Sequence, residues 1–270
     1  VTKMKNSSKL YLVLIYIFLY APIIVLMVFS FNSSKSRNVW TGFTLNWYSN
    51  LFNNRQITNS LMNTLVLALV SSVVATIIGT LAALGISSMK KKARTLAINL
   101  TYIPIISPEI VTGVSLMLLF VMAGVGLGMT TLILAHITFN IPYVILNVLP
   151  KFRQMDTHLY EAAQDLGCNG VQAFFKVVVP EIMPGIISGF LMALTYSIDD
   201  FVISYFTTGP QSQTLPITIY SMTRKRISPE INALSTIIFL IVLTVLIVMN
   251  VADSNKQKKI NAMNVRRESL

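Results

Sequence analysis

The chain has 270 residues, of which 54% are hydrophobic and only 11% charged, where an average soluble domain carries roughly 25% charged residues. Its mean hydropathy of +0.67 is more apolar surface than a soluble core absorbs, so the solvent is lipid. The net charge of +11 sits mostly in short loops between apolar spans, which writes membrane topology and argues against nucleic acid as a partner, and the single cysteine, Cys168, rules out an intrachain disulfide.

Six apolar stretches are long enough to cross a bilayer: about 10–31, 61–87, 96–122, 129–149, 182–206 and 232–252. They predict an all-α polytopic membrane protein. Lys3, Lys5 and Lys9 precede the first stretch as they would a signal peptide, but its apolar run exceeds the ~7–15 residues of a signal core and no A-x-A site follows, so it reads as a retained helix. Residues 1–60 then form an N-terminal transmembrane helix with an extracellular loop, 61–252 the transmembrane core, and 253–270 a cytoplasmic tail. In the second stretch Ser71, Ala75, Gly79, Ala83 and Ser87 recur every four residues, a small face for close helix packing within the subunit or against a second one. Pro104 and Pro108 are expected to interrupt the third span, Pro142 the fourth, and Pro22 to kink the first. Gly124-x-Gly126-x-Gly128 lacks both a preceding strand and the third position of a dinucleotide fingerprint and reads as a tight outer turn.

Of the 21 Lys and Arg residues, 15 fall at the amino end, in the 88–95 and 150–181 loops and in the tail; Lys35, Arg37, Arg55, Arg224, Lys225 and Arg226 lie in the alternate loops. The positive-inside rule therefore predicts a multi-pass membrane protein with both termini and the 150–181 loop in the cytoplasm.

That loop has its own architecture. Asp156 can cap a helix beginning near Thr157, Leu159 to Leu166 contains good helix formers, and Gly167 fits the left-handed position that ends a helix. Asn169 can cap a second short helix bearing Phe174, Phe175 and Val178, with Pro180 and Pro184 at the start of the fifth span. The expected result is a bent helix pair with a small face at Ala162 and Ala163. It carries more acids (Asp156, Glu161, Asp165, Glu181) than bases, unlike an amphipathic helix lying on lipid.

Three acids fall inside spans, where an ionisable residue costs about 2.5–3.5 kcal/mol on insertion scales: Glu109 in the third and Asp199 and Asp200 in the fifth. With Tyr196, Ser197 and Tyr205 nearby they suit a pathway for an organic cation. Pairing of these carboxylates with Arg224, Lys225 or Arg226, or a role in fixing helix contacts, stays open beside that reading. His136, with no second histidine near it, reads as a buried hydrogen-bonded packing residue, and His158 as solvated. No G-x-x-x-x-G-K-[ST] occurs and no carboxylate pair or Ser/His/Asp set suggests a catalytic site.

The segment Glu161-Ala162-Ala163-x3-Gly167-x9-Val177-x-Val179-Pro180 resembles the E-A-A-x3-G-x9-I-x-L-P loop of ATP-binding-cassette (ABC) importer permeases, departing only by Val at 177 and 179. Other stretches resemble the permeases of spermidine/putrescine importers: Phe29-Ser-Phe-Asn-Ser-Ser34, Ser107-Pro-Glu-Ile-Val111, His136-Ile-Thr-Phe139, Asp199-Asp-Phe-Val202, Thr208-Gly-Pro210, Leu215-Pro-Ile-Thr-Ile-Tyr-Ser-Met222 and Ser228-Pro-Glu-Ile-Asn-Ala-Leu234. The resemblance implies a type I importer permease fold. It also implies coupling to two ATPase subunits through Glu161, Ala162, Ala163, Gly167 and Pro180, a second related permease, and an extracellular or periplasmic solute-binding protein. ATP and Mg would then be held by the ATPase partners and no cofactor by this chain. The alternatives are an importer of another amine, iron or an amino acid, or a secondary transporter, which needs no acidic Ala-Ala loop and commonly has inverted repeats.

Overall fold

The computed structural model describes residues 6–34, 39–156, 158–225 and 229–241, with Leu243, Thr244 and Ile247. Among these residues the structure is helical; the one extended pairing is an isolated bridge between Asn32 and Phe43. The chain divides into two compact units, one of residues 1–55 with 221–270 and one of residues 56–220.

The first unit begins with α1 (Asn6–Phe29), apolar all round and with none of its span buried. It runs through Pro22 without a break. Past its end, Asn32 organises the loop: its side-chain amide donates to Val39 O (2.8 Å), its Oδ1 accepts from the Ser34 and Thr41 amides, and its carbonyl accepts from Trp47 Nε1 (2.7 Å). Phe31 lies against Phe43 and Tyr48, seating α2 (Asn46–Asn53). Buried polar backbone needs partners, and a carboxamide supplies donor and acceptor together. The helix Pro229–Ile241, α12, covers the start of the expected sixth span; residues 242, 245, 246 and 248–252 of that span lie outside the described residues.

The second unit contains α3 (Arg55–Ser88), which enters from the first unit at Arg55, α4 (Lys91–Ile106), α5 (Glu109–Met122) and α6 (Met129–Gln154). It continues with α7 (His158–Asp165), α8 (Gly170–Ala173), a π-helical turn (Phe174–Val178), α9 (Val179–Asp199), α10 (Val202–Thr207) and the start of α11 (Leu215–Lys225). Its core lies where α3 and α9 meet α6, around Val144, Val148, Leu149, Ile182 and Ala193. Small residues allow that approach. A Cβ on Gly79 would stand 2.7 Å from Val144 Cβ, and one on Gly189 would stand 3.2 Å from Val144 Cα. Ser71 Oγ lies 3.0 Å from Ser197 Oγ, which also accepts from Asn140 Nδ2 at 2.7 Å. Ser71, Ala75, Gly79 and Ala83 are buried, so the small face of the second span packs within the subunit, while Ser87 is only half-buried.

The contrast between Gly79 and Gly85 on the same helix gives a direct check. Gly79→Ala is expected to destabilise by about 1–3 kcal/mol, since overpacking forces side chains or backbone to shift. Gly85, with nothing within 4 Å of an added Cβ, should accept alanine at no cost. Thermal unfolding of the detergent-solubilised protein reads the difference; equal midpoints for the two variants would remove the packing argument.

One expectation about the spans holds and two change. The third span is interrupted as expected, into two helices, α4 and α5, meeting at 98° across Ser107-Pro108. The fourth is uninterrupted: α6 runs through both Pro142 and Pro150. The fifth does not reach 206; α9 stops at Asp199, the chain turns, and α10 follows. The Gly124–Gly128 segment is the expected turn, with Gly124 at φ +70°. A proline deletes one backbone bond, and whether the helix then breaks depends on its packing.

Candidate functional site

Two places in the second unit bring the sequence-predicted residues together. The first is the 156–180 segment. Asp156 Oδ1 accepts from the His158 amide at 3.0 Å, so the expected cap is present, while Thr157 lies outside the described residues. At the other end of α7, Gly167 adopts φ +89°. The Gly167 amide donates to Gln164 O (2.8 Å) and the Cys168 amide to Ala163 O (3.0 Å), the paired bonds of a Schellman stop. Asn169 then caps α8 reciprocally: its Oδ1 accepts from the Gln172 amide and its own amide donates to Gln172 Oε1.

The bent pair is thus built from local hydrogen bonds. It presents Glu161 and Ala162 outward, with His158 exposed beside Glu161 at 3.5 Å. Ala163, expected on the same small face, is buried against its own chain, because consecutive residues on a helix point about 100° apart. The outward surface is instead completed by Phe175, expected on the second short helix, and by Leu159, Leu166 (87% exposed) and Val171, to which sequence reading gave no place on that surface. Their signal was present: four large apolar side chains on an otherwise polar bent pair. Pro180 sits apart, in the first turn of α9. It has no amide to give to Lys176 O. The helix widens just before it, with the Val179 amide reaching Phe174 O, so helix runs unbroken from Gly170 to Asp199.

The second place is a cavity of about 270 Å³ at the two helix breaks, lined by Glu109, Phe139, Tyr196, Asp199, Asp200, Phe201 and Val202. Glu109 opens α5 after Pro108, and Tyr196 and Asp199 end α9. Phe139, Tyr143 and Tyr196 form an aromatic cluster with centroids 4.4–6.0 Å apart. Phe201 packs at a tilt against Tyr205 and Tyr220. All four predicted pathway residues therefore share one wall-set, joined by Phe139 and Phe201, which the sequence reading quoted but assigned no role.

The two aspartates differ in what they touch. Asp199 is exposed to the cavity. Asp200 Oδ2 accepts from the Ser204 amide at 2.7 Å and Oδ1 from the Ile203 amide at 3.3 Å. His136, 1% exposed, lies 3.0 Å from Ser204 Oγ and 3.5 Å from Asp200, in the buried packing role expected of it. Of the basic partners considered for these acids, Arg226 and the Lys225 side chain lie outside the described residues. Chemically, two carboxylates and several π faces in a confined space suit a cation with apolar character. Among the described residues no group of three or more His, Cys, Asp or Glu side chains is arranged to hold a metal.

Residues 75–261 match the family model described as "Binding-protein-dependent transport system inner membrane component". The chain is 37% identical over 244 residues to the spermidine/putrescine transport system permease protein PotC of Escherichia coli K12, covering 90% of this chain and 92% of that protein. It is 39% identical over 235 residues to the putrescine transport system permease protein PotI of the same strain, covering 84% and 83%. Among solved structures, a bacterial ABC transporter that imports the acidic polysaccharide alginate aligns with a TM-score of 0.68 at 15% identity, over 94% of this chain and 99% of the other. An alginate transporter in complex with its pentasaccharide-bound periplasmic protein aligns with a TM-score of 0.69 at 19% identity, over 90% and 91%. These structural likenesses show the fold.

Proposed function

This chain belongs to the family of binding-protein-dependent transport system inner membrane components, and from that premise we propose that it is the permease subunit of an ABC importer whose cargo is a polyamine such as spermidine or putrescine. The observation that carries the cargo class is the cavity where Glu109 and Asp199 meet Tyr196, Phe139 and Phe201. A polyamine is a chain of ammonium groups joined by methylenes, and acids interleaved with aromatic faces complement both parts. Similarity to PotC and PotI over most of the chain supports the same class.

In this reading the permease holds no nucleotide and catalyses no covalent step. Two ATPase subunits bind ATP and Mg, a second related permease completes the pathway, and a solute-binding protein delivers cargo to the outer mouth. The distribution of Lys and Arg puts both termini and the α7–α8 pair on the cytoplasmic side, where the exposed Glu161, Ala162, Leu166 and Phe175 would meet an ATPase groove. Closure of the ATPase pair on ATP would move that segment and change which side of the cavity is open.

The test is uptake into proteoliposomes holding the full transporter with its binding protein. Labelled spermidine or putrescine should accumulate only with internal ATP, and an excess of either unlabelled polyamine should suppress it, whereas amino acids should not. Competition by amino acids alone would reassign the cargo. Accumulation that survives an ATPase-dead partner but collapses with an ionophore would overturn the class.

A further inference from the structure

Asp199 and Asp200 are adjacent in sequence, acidic, and both line the cavity, yet only one has oxygens to spare. The Asp200 side chain is 6% exposed. Its two oxygens take the Ile203 and Ser204 amides, which are among the orphan donors at the start of α10. Its outer flank is closed by His136, whose Nε2 lies 3.5 Å from Asp200 Oδ2 and 3.0 Å from Ser204 Oγ. His136 Nδ1 is buried without a hydrogen-bond partner. An unmet acceptor is tolerated better than an unmet N–H donor, which puts the ring proton on Nε2, facing Ser204 and the carboxylate. Thus α6, through His136, is tied to the first turn of α10, and α10 is held in turn on α5, where Phe206 approaches Gly113 to 3.0 Å of an added Cβ.

We propose that Asp200 is a positioning residue: with His136 and Ser204 it fixes the break between α9 and α10, and so aims Asp199 and Phe201 into the cavity, without itself ligating cargo. The inference rests on the cavity being the transport pathway. It assigns the charge that meets a cation to Asp199 and a mechanical task to its neighbour.

A cap and a ligand respond differently to the same conservative change. Asparagine has one carboxamide oxygen, enough for the 2.7 Å bond from the Ser204 amide; it gives up the longer 3.3 Å bond from Ile203 and carries no charge. Initial uptake by the full transporter, at saturating cargo-loaded binding protein and normalised to permease in the membrane, is compared for a trication (spermidine) and a dication (putrescine). Asp200→Asn is expected to leave both rates within about twofold of wild type. Asp200→Ala should lower both by the same factor, about fivefold for a lost cap. Asp199→Asn should lower spermidine uptake at least tenfold and putrescine uptake less, because the loss scales with cargo charge.

If Asp200→Asn shifts the spermidine-to-putrescine ratio as Asp199→Asn does, Asp200 is a ligand and the inference fails. Equal rates for the Asn and Ala variants at 200 also end it. Should the Ala variant not accumulate in the membrane, the ratio measured for the Asn variant decides alone. A wild-type ratio and rate in Asp199→Asn would instead sink the pathway reading, with the Asn-versus-Ala contrast at 200 still judging the cap.

Discussion

Gly167→Pro is expected to reduce ATP-driven uptake to background while the permease still accumulates in the membrane. Gly167 sits at φ +89° and its amide closes on Gln164 O. Proline locks φ near −65° and has no amide, so both features are lost together and the angle between α7 and α8 cannot be kept. Nothing lies within 4 Å of an added Cβ at this position, so the ring meets no other element and its crowding of Leu166 stays in the turn, away from the spans. Gly167→Ala separates the causes. It retains the amide and pays only the left-handed penalty of about 1–2 kcal/mol, and so should transport at a reduced but measurable rate. The paired readouts are uptake and the stimulation of ATP hydrolysis by cargo-loaded binding protein. Full uptake in the proline variant would show that the bend does not carry coupling.

Asp199→Lys should abolish polyamine uptake, by at least about a hundredfold, in a complex that still assembles with its ATPase. Two unit charges 4 Å apart interact by about 4 kcal/mol at an effective dielectric near 20, roughly a thousandfold in an equilibrium. Reversal turns that attraction into repulsion. A lysine there could also pair with Glu109 across the same cavity, which would remove the second acid and push the result in the same direction. Asp165→Lys, on the exposed surface of the bent pair, is the matched control for a general effect of added charge and should leave cargo preference unchanged. Measurable spermidine uptake by Asp199→Lys would take this carboxylate out of the path.

The parts of the molecule legible in the sequence are those decided locally. Asp156, Gly167 and Asn169 each bond to backbone groups two or three residues away, and the helix pair they bound was expected where it is found. The small face of α3 was legible because its period is that of the helix. What was not legible depended on distant partners. Pro108 breaks its span and Pro142 does not, although the local chemistry is the same. Ala162 and Ala163 were taken as one face, and the burial of Ala163 by its own chain separated them. The end of α9 was hidden in an apolar run that continues to 206. The two acids marked the place, but that one of them starts a new helix depends on Ser204 and on His136, 64 residues earlier in the chain. The candidate pathway residues were chosen by cost alone, since a charge in a span needs a reason. Their meeting in one cavity required the two helix breaks.

The unbroken run from Gly170 to Asp199 has a further consequence. Thirty residues of helix make a rod about 45 Å long, and tilting such a rod by about 10° around one end swings the other by about 8 Å, more than the width of an alkyl chain. The proline near its base is absorbed by a widened turn, so the helix passes that point without a break. On the proposed reading, a push at the Gly170 end would reach Asp199 at the other as sideways travel, with no separate relay between them.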